Sequence, residues 1–154
     1  MPRMRLEPQE LMVLVVEDDA LEARLLCECL KRTGLGGDVC IAPDGEEALD
    51  VLRQRAQVAC SALPDLVLLD FRLPGLDGAQ VVQAIRGDPE LCHIPVLVVS
   101  TSTESADVRR AYESGANCYL AKPSSLAGAV AMAEAIKEFW AGVATLPPRA
   151  NGRL

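Results

Sequence analysis

Three uninterrupted apolar runs constrain the fold more than any other feature of this sequence. They occupy residues 11–16, 66–69 and 96–99, and each is rich in valine and leucine. Apolar character that is continuous rather than alternating is typical of strands buried on both faces, as in a parallel sheet. Two weaker strand patterns lie at residues 38–41 and 118–121.

A helical pattern follows each of the five strand patterns. These patterns cover residues 20–33, 44–57, 79–86, 105–114 and 126–140. Glycine follows the first and the fourth of them, and glycine commonly ends a helix. Strands that alternate with helices predict an α/β fold, with a five-stranded parallel sheet doubly wound by helices on both faces.

Length and charge exclude several classes of protein. A chain of 154 residues forms one domain by the usual scaling. Its net charge of −7 argues against binding to nucleic acid or to an anionic membrane. No apolar run approaches the roughly 18 residues of a membrane span, and the first ten residues do not read as a signal peptide. We therefore expect a cytoplasmic protein.

Metal and redox chemistry based on histidine or cysteine is not favoured. The sequence has one histidine, His93, and its six cysteines form no C-x-x-C motif. Zinc sites of ordinary ligand spacing need such motifs, so the cysteines are expected to be small buried apolar residues.

Polar residues whose side chains can bind metals or react follow the apolar runs. The carboxyl ends of parallel strands lie at one edge of the sheet, where ligands bind in open α/β folds. We therefore expect these residues to converge: Glu17, Asp18, Asp70, Ser100 and Lys122. Asp19, the next residue along, suits the N-cap of the first helix.

Such a cluster needs a cation. Two carboxylates about 4 Å apart repel by roughly 4 kcal/mol at an effective dielectric constant near 20. Lysine supplies one positive charge, and carboxylate oxygens with room for water suit Mg²⁺. A carboxylate, Mg²⁺, a hydroxyl and a lysine together can perform phosphoryl transfer, with one carboxylate as the nucleophile.

The sequence resembles the receiver domain of two-component response regulators. The resemblance rests on residues 15–19, 68–78, 95–100 and 121–123, and it extends over about residues 10–142. It implies a flavodoxin-like, CheY-like three-layer sandwich. On this basis residues 1–10 are an N-terminal extension, residues 11–142 form the receiver domain, and residues 143–154 are expected to be a disordered tail.

The resemblance implies a role for each acid of the cluster. Asp70 would accept the phosphoryl group. The Mg²⁺ ligands would be Glu17, Asp18, Asp70 and the backbone carbonyl of Arg72. Glutamate at position 17 departs from the more frequent aspartate, and it keeps the charge with a longer reach.

The resemblance also implies a switch. Ser100 would bond the phosphoryl group and move with it, and Lys122 would pair with a phosphoryl oxygen. Pro123 would shape the loop of that lysine through a cis peptide bond. Tyr119 would change rotamer when Ser100 shifts. Thr101 replaces a residue that is usually very small, which bears on the rates of phosphorylation and hydrolysis.

The second half of the sequence resembles single-domain regulators that serve bacterial and cyanobacterial phytochromes, at residues 87–91, 94–95, 100–102, 107–108, 112 and 115–119. This resemblance implies a light-sensing histidine kinase as partner, and a homodimer formed through the fourth helix, fifth strand and fifth helix. Nothing after the receiver domain is long enough for a DNA-binding effector, so output is expected through partner binding or dimerisation.

Two alternatives remain open from the residues. An Mg²⁺-dependent phosphohydrolase with an aspartyl nucleophile usually has a second acid two positions later, where this chain has Arg72. A receiver-like interaction module that takes no phosphate would lack part of the residue set, which is complete here. The first interpretation, a switch that turns over no independent substrate, is favoured.

Overall fold

Five strands and five helices alternate along the chain in the computed structural model, which describes residues 11–35, 37–59 and 62–148. The strands are β1 (Met12–Val16), β2 (Asp38–Ala42), β3 (Leu66–Asp70), β4 (Val96–Ser100) and β5 (Cys118–Ala121). The helices are α1 (Ala20–Arg32), α2 (Gly45–Val58), α3 (Gly78–Gly87), α4 (Ser105–Ser114) and α5 (Leu126–Lys137). A π-helical segment, Glu138–Val143, continues α5.

All strand pairs are parallel, and the strands lie in the order β2-β1-β3-β4-β5. Alternate residues of β1 point into different cores. Leu14 packs with residues of α2 and α3, whereas Val13 packs with residues of α1 and α5. A third cluster joins α4 to β4 through Ala111 and Val98. The doubly wound parallel α/β fold is therefore confirmed.

Two of the predicted site residues belong to the strands themselves. Asp70 is the last residue of β3, and Ser100 is the last residue of β4. The sequence pattern ended both strands one residue earlier. Because Asp70 is paired with Val99 and Ser100 with Ala121, sheet hydrogen bonding fixes their main-chain positions at the site edge.

Part of the expected C-terminal tail, residues 143–148, lies among the described residues. The Ala144 N–H donates to the Phe139 carbonyl at 2.7 Å, and Leu146 packs against the core cluster below α1 and α5. Leu146 is apolar, and its side chain is partly buried in this position. Residues 1–10 and 149–154, which complete the two expected terminal segments, lie outside the described residues.

The cysteines fall into different environments. Cys27 and Cys29 of α1 are buried, as expected for small apolar residues. The expectation is wrong for Cys92, which is exposed in the turns between α3 and β4. Cys60 lies outside the described residues.

Over the described residues, the helices are too short or too polar to cross a membrane.

Candidate functional site

Three carboxylates meet where β1 and β3 end. Glu17 and Asp18 follow β1, and Asp70 ends β3, the neighbouring strand. One oxygen from each carboxylate lies within 4.8 Å of the others. Glu17 and Asp70 are only 6% and 9% exposed, whereas Asp18 is open to solvent. The predicted convergence of these acids is present in the structure.

Asp19 separates this cluster from the first helix. Its side chain accepts hydrogen bonds from the main-chain N–H groups of Leu21 and Glu22, at 2.9 and 3.1 Å. It is thus the N-cap of α1, as expected from the sequence. The Asp19 N–H in turn donates to Glu17 Oε1 at 3.2 Å, which ties the helix cap to the acidic cluster.

Lys122 supplies the positive charge of the cluster. Its ammonium group donates to Glu22 Oε2 at 2.6 Å, to Glu17 Oε2 at 2.7 Å and to Asp70 Oδ2 at 3.3 Å. The lysine side chain is 16% exposed, so solvent screens these pairs less than it screens surface pairs. One main-chain bond fixes its base, since the Lys122 N–H donates to the Ser100 carbonyl at 2.8 Å.

Burial and neighbouring charges shift two pKa values in this cluster. Burial raises the pKa of Glu17 to about 7; Lys122 opposes the rise and the charge of Asp70 adds to it. Burial alone would lower the pKa of Lys122, but its hydrogen bonds to Glu17 and Glu22 and the charge of Asp70 raise it above its usual range. Lys122 therefore remains protonated, and ionisation of Glu17 is less favourable in the folded protein than in water.

Ser100 lies at the same edge and is fully buried. Its hydroxyl oxygen accepts a hydrogen bond from the Ser102 N–H at 3.2 Å. The hydroxyl proton can therefore be donated to another group. Thr101, the residue between these serines, is exposed and lines a cavity of about 390 Å³ together with Lys122 and Asp70.

Arg72 links the phosphoacceptor candidate to α4. Its main-chain N–H donates to Asp70 Oδ1 at 3.1 Å, and its guanidinium donates to Asp107 Oδ2 at 3.0 Å. The loop that carries Arg72 lies so close to α3 that a Cβ atom on Gly78 would be only 2.7 Å from the main chain of Phe71. Glycine at position 78 permits this close approach. The Arg72 carbonyl as a metal ligand stays a prediction.

Tyr119 lies half buried beside the same network. Its hydroxyl donates to the Ser102 carbonyl at 2.7 Å, and its ring meets that of Phe71 edge-on at 6.2 Å. Ser102 also donates its main-chain N–H to the Ser100 hydroxyl oxygen, so Ser102 connects Tyr119 with Ser100. The role of Tyr119 in a switch stays a prediction.

Pro123 follows Lys122 and lines the cavity near the site. The cis peptide bond expected before it is not present, since the Lys122–Pro123 bond is trans. The trans isomer is the intrinsically favoured one for X-Pro bonds.

Three further residues of the site were not predicted from the sequence. Glu22 pairs with Lys122, while Ser102 and Asp107 form a hydrogen-bonded pair that also holds Arg72. Glu22 stands in the first turn of a helix that begins beside the acids, which was an available signal. Ser102 and Asp107 carried no comparable signal, because their contacts depend on how α4 packs.

The donor set fits a hard divalent cation. All three converging groups are carboxylates, which suit Mg²⁺ or Mn²⁺ better than softer metals. The cluster Glu17, Asp18 and Asp70 would hold such an ion, and the ion would offset the repulsion among them.

Residues 13–134 match the response regulator receiver domain family. The chain belongs to this family. Receiver domains interact with histidine kinases and bind Mg²⁺ or Mn²⁺ at an acidic pocket. The chain is thus a response regulator receiver domain of phosphorelay signalling, and the acidic cluster described above lies where such a pocket is expected.

Several relatives resemble this receiver domain over nearly its full length. Response regulator Rcp1 of Synechocystis sp. is 38% identical over 135 residues, which are 88% of this chain and 92% of Rcp1. The phosphorylated cyanobacterial phytochrome response regulator RcpA is 38% identical, with a TM-score of 0.82 over 91% of this chain and 100% of RcpA. The Mn²⁺-bound form of Rcp1 has a TM-score of 0.78 at 38% identity, over 90% of this chain and 99% of Rcp1.

Proposed function

We propose that this receiver domain is a switch operated by phosphorylation of Asp70. The observation that carries the proposal is the position of Asp70, nearly buried between two further acids and 3.3 Å from the ammonium of Lys122. A carboxylate held among such groups is suited to attack phosphorus, because the charges that develop on the phosphoryl oxygens already have partners. The chain turns over no independent substrate in this proposal.

The donor of the phosphoryl group is the phosphohistidine of a sensor kinase. A carboxylate oxygen of Asp70 attacks phosphorus, the P–N bond to the imidazole breaks, and an acyl phosphate forms. Glu17, Asp18, Asp70 and the carbonyl of Arg72 would hold Mg²⁺, which would supply positive charge to the phosphoryl oxygens. Lys122 pairs with one of those oxygens, and the buried Ser100 hydroxyl donates to another.

We propose that the kinase is a light-sensing phytochrome and that this protein acts with it in the cytoplasm. Support comes from RcpA, which is a cyanobacterial phytochrome response regulator, and from the coverage of nearly its whole length by this chain. Co-purification with candidate phytochrome kinases, with and without red light, tests this part separately. Phosphorylation only by a kinase without a chromophore would contradict it.

A homodimer through α4, β5 and α5 is the proposed form of output. β5 is an edge strand of the sheet, and the side chains of Tyr112 on α4 and Leu126 on α5 are exposed. Tyr112 is joined to β5 directly, because its hydroxyl accepts the Tyr119 N–H at 3.2 Å. Repacking of Tyr119 would therefore reach the surface at which the second copy docks.

Incubation with acetyl phosphate and Mg²⁺, followed by intact-mass measurement, tests the phosphoacceptor. Wild-type protein is expected to gain one phosphoryl group, whereas Asp70→Asn gains none. Asp50→Asn, an exposed carboxylate on α2, is the matched control and should behave as wild type. Equal phosphorylation of Asp70→Asn would overturn the assignment. Steady hydrolysis of a phosphate ester would instead favour the phosphohydrolase alternative.

Light-scattering mass with and without beryllofluoride, a phosphoryl mimic, tests the output. A mass that doubles with the mimic in wild type, and less so in Tyr112→Asp, is the expected result. A monomer under both conditions would contradict dimerisation as the output.

A further inference from the structure

Glu22 lies outside the group of acids that can share a metal, yet it makes the shortest contact to Lys122. Its Oε2 atom is 2.6 Å from the ammonium nitrogen. The three oxygens that converge closely enough to hold an ion belong to Glu17, Asp18 and Asp70. Glu22 therefore acts on the site through the lysine.

The position of Glu22 is determined by the start of α1. Its main-chain N–H donates to the N-cap Asp19 at 3.1 Å, which places Glu22 in the capped first turn of the helix. The carboxylate is 49% exposed, while the lysine that it contacts is 16% exposed. Glu22 thus reaches from the solvent side to a nearly buried cation.

An ammonium group has three N–H donors, and three carboxylates accept them here. Two of these acceptors, Glu17 and Asp70, are the proposed metal ligands. An ion bound by them draws their electron pairs away from the lysine. Glu22 is the partner that Lys122 can keep when this happens.

We infer that Glu22 is a positioning residue that holds Lys122 on the α1 side of the site and so releases Glu17 and Asp70 for Mg²⁺. The inference rests on the proposed function of this cluster. Without Glu22, Lys122 would pair with Glu17 and Asp70 alone and would compete with the ion for both. Loss of Glu22 therefore weakens Mg²⁺ binding through this competition by the lysine.

Titration of Mg²⁺ into the full-length protein by calorimetry tests the inference, without requiring phosphorylation. Glu22→Gln is expected to bind Mg²⁺ about fivefold more weakly than wild type, the size expected for loss of a partly exposed ion pair. Glu28→Gln removes the same charge from an exposed position on the same helix and should leave the affinity within twofold of wild type.

A double-mutant cycle with Lys122→Met distinguishes positioning from a direct effect of charge. If Glu22 acts through the lysine, Glu22→Gln has little further effect on Mg²⁺ affinity in the Lys122→Met background. The same fivefold loss in that background would overturn the inference, as would equal binding by wild type and Glu22→Gln. Wild-type protein that bound no Mg²⁺ at all would overturn the proposed metal site itself, and the inference with it.

Discussion

Replacement of Asp70 by asparagine is expected to stabilise the metal-free protein while it abolishes phosphorylation. The three carboxylate oxygens lie within 4.8 Å of one another, and two unit charges at that limiting distance repel by about 3.5 kcal/mol at an effective dielectric constant near 20. Asp70 faces two such charges, on Glu17 and Asp18, so the total repulsion is about 7 kcal/mol. The attraction between Asp70 and the Lys122 ammonium, 3.3 Å away, offsets about 5 kcal/mol of this repulsion by the same relation.

The negative charge of Asp70 is therefore unfavourable by about 2 kcal/mol in the metal-free fold. Asparagine removes that charge, and its amide oxygen can still accept the hydrogen bond from the Arg72 N–H. For a domain of this length the gain corresponds to a rise in Tm of about 4–8 °C.

Thermal and urea unfolding in EDTA at pH 8 measures the effect. This pH is chosen because the pKa of Glu17 is about 7, so its repulsion of Asp70 is then nearly complete. Addition of Mg²⁺ should stabilise wild type more than Asp70→Asn, since the ion replaces the missing positive charge. Asp50→Asn, on the exposed face of α2, should change the free energy of unfolding by less than about 0.5 kcal/mol.

Asp70→Asn that was no more stable than wild type in EDTA would refute the reasoning. It would mean that repulsion in the cluster is already relieved by solvent or by Lys122, and that Mg²⁺ is not needed to offset it.

Three further outcomes are expected. Arg86→Met removes four hydrogen bonds from one guanidinium to acceptors that include Asn117, and should lower the free energy of unfolding in urea by about 2–4 kcal/mol. Tyr119→Phe removes the bond to the Ser102 carbonyl, and should leave phosphorylation by acetyl phosphate intact while it reduces the mass change seen by light scattering. The pKa of Glu17 is raised in the fold, so the folded state binds the proton more tightly than the unfolded state does. Metal-free protein should therefore become more stable as pH falls from 8 to 6. A Glu17→Gln variant with the same pH dependence would contradict this.

The sheet could be predicted because burial on both faces leaves a direct mark in the sequence. The three continuous apolar runs form β1, β3 and β4, and the family match confirms the fold class. The convergence of Glu17, Asp18 and Asp70 followed from the same pattern, since parallel strands place their carboxyl ends at one edge. This part required no knowledge of side-chain packing.

Contacts made through helices could not be predicted in the same way. Glu22 and Lys122 are one hundred positions apart, and their contact depends on how α1 is rotated about its axis. The trans bond before Pro123 likewise differs from what the resemblance implied.

The sequence by itself determined the order of elements and the edge at which the acids and the lysine meet, because strand burial and strand direction are encoded locally. Only the tertiary structure decided which carboxylates share the Lys122 ammonium, and that Ser102 joins Tyr119 to the end of β4. The reason is physical: these contacts are a few ångströms long and depend on helix packing and rotamers, which no local pattern specifies.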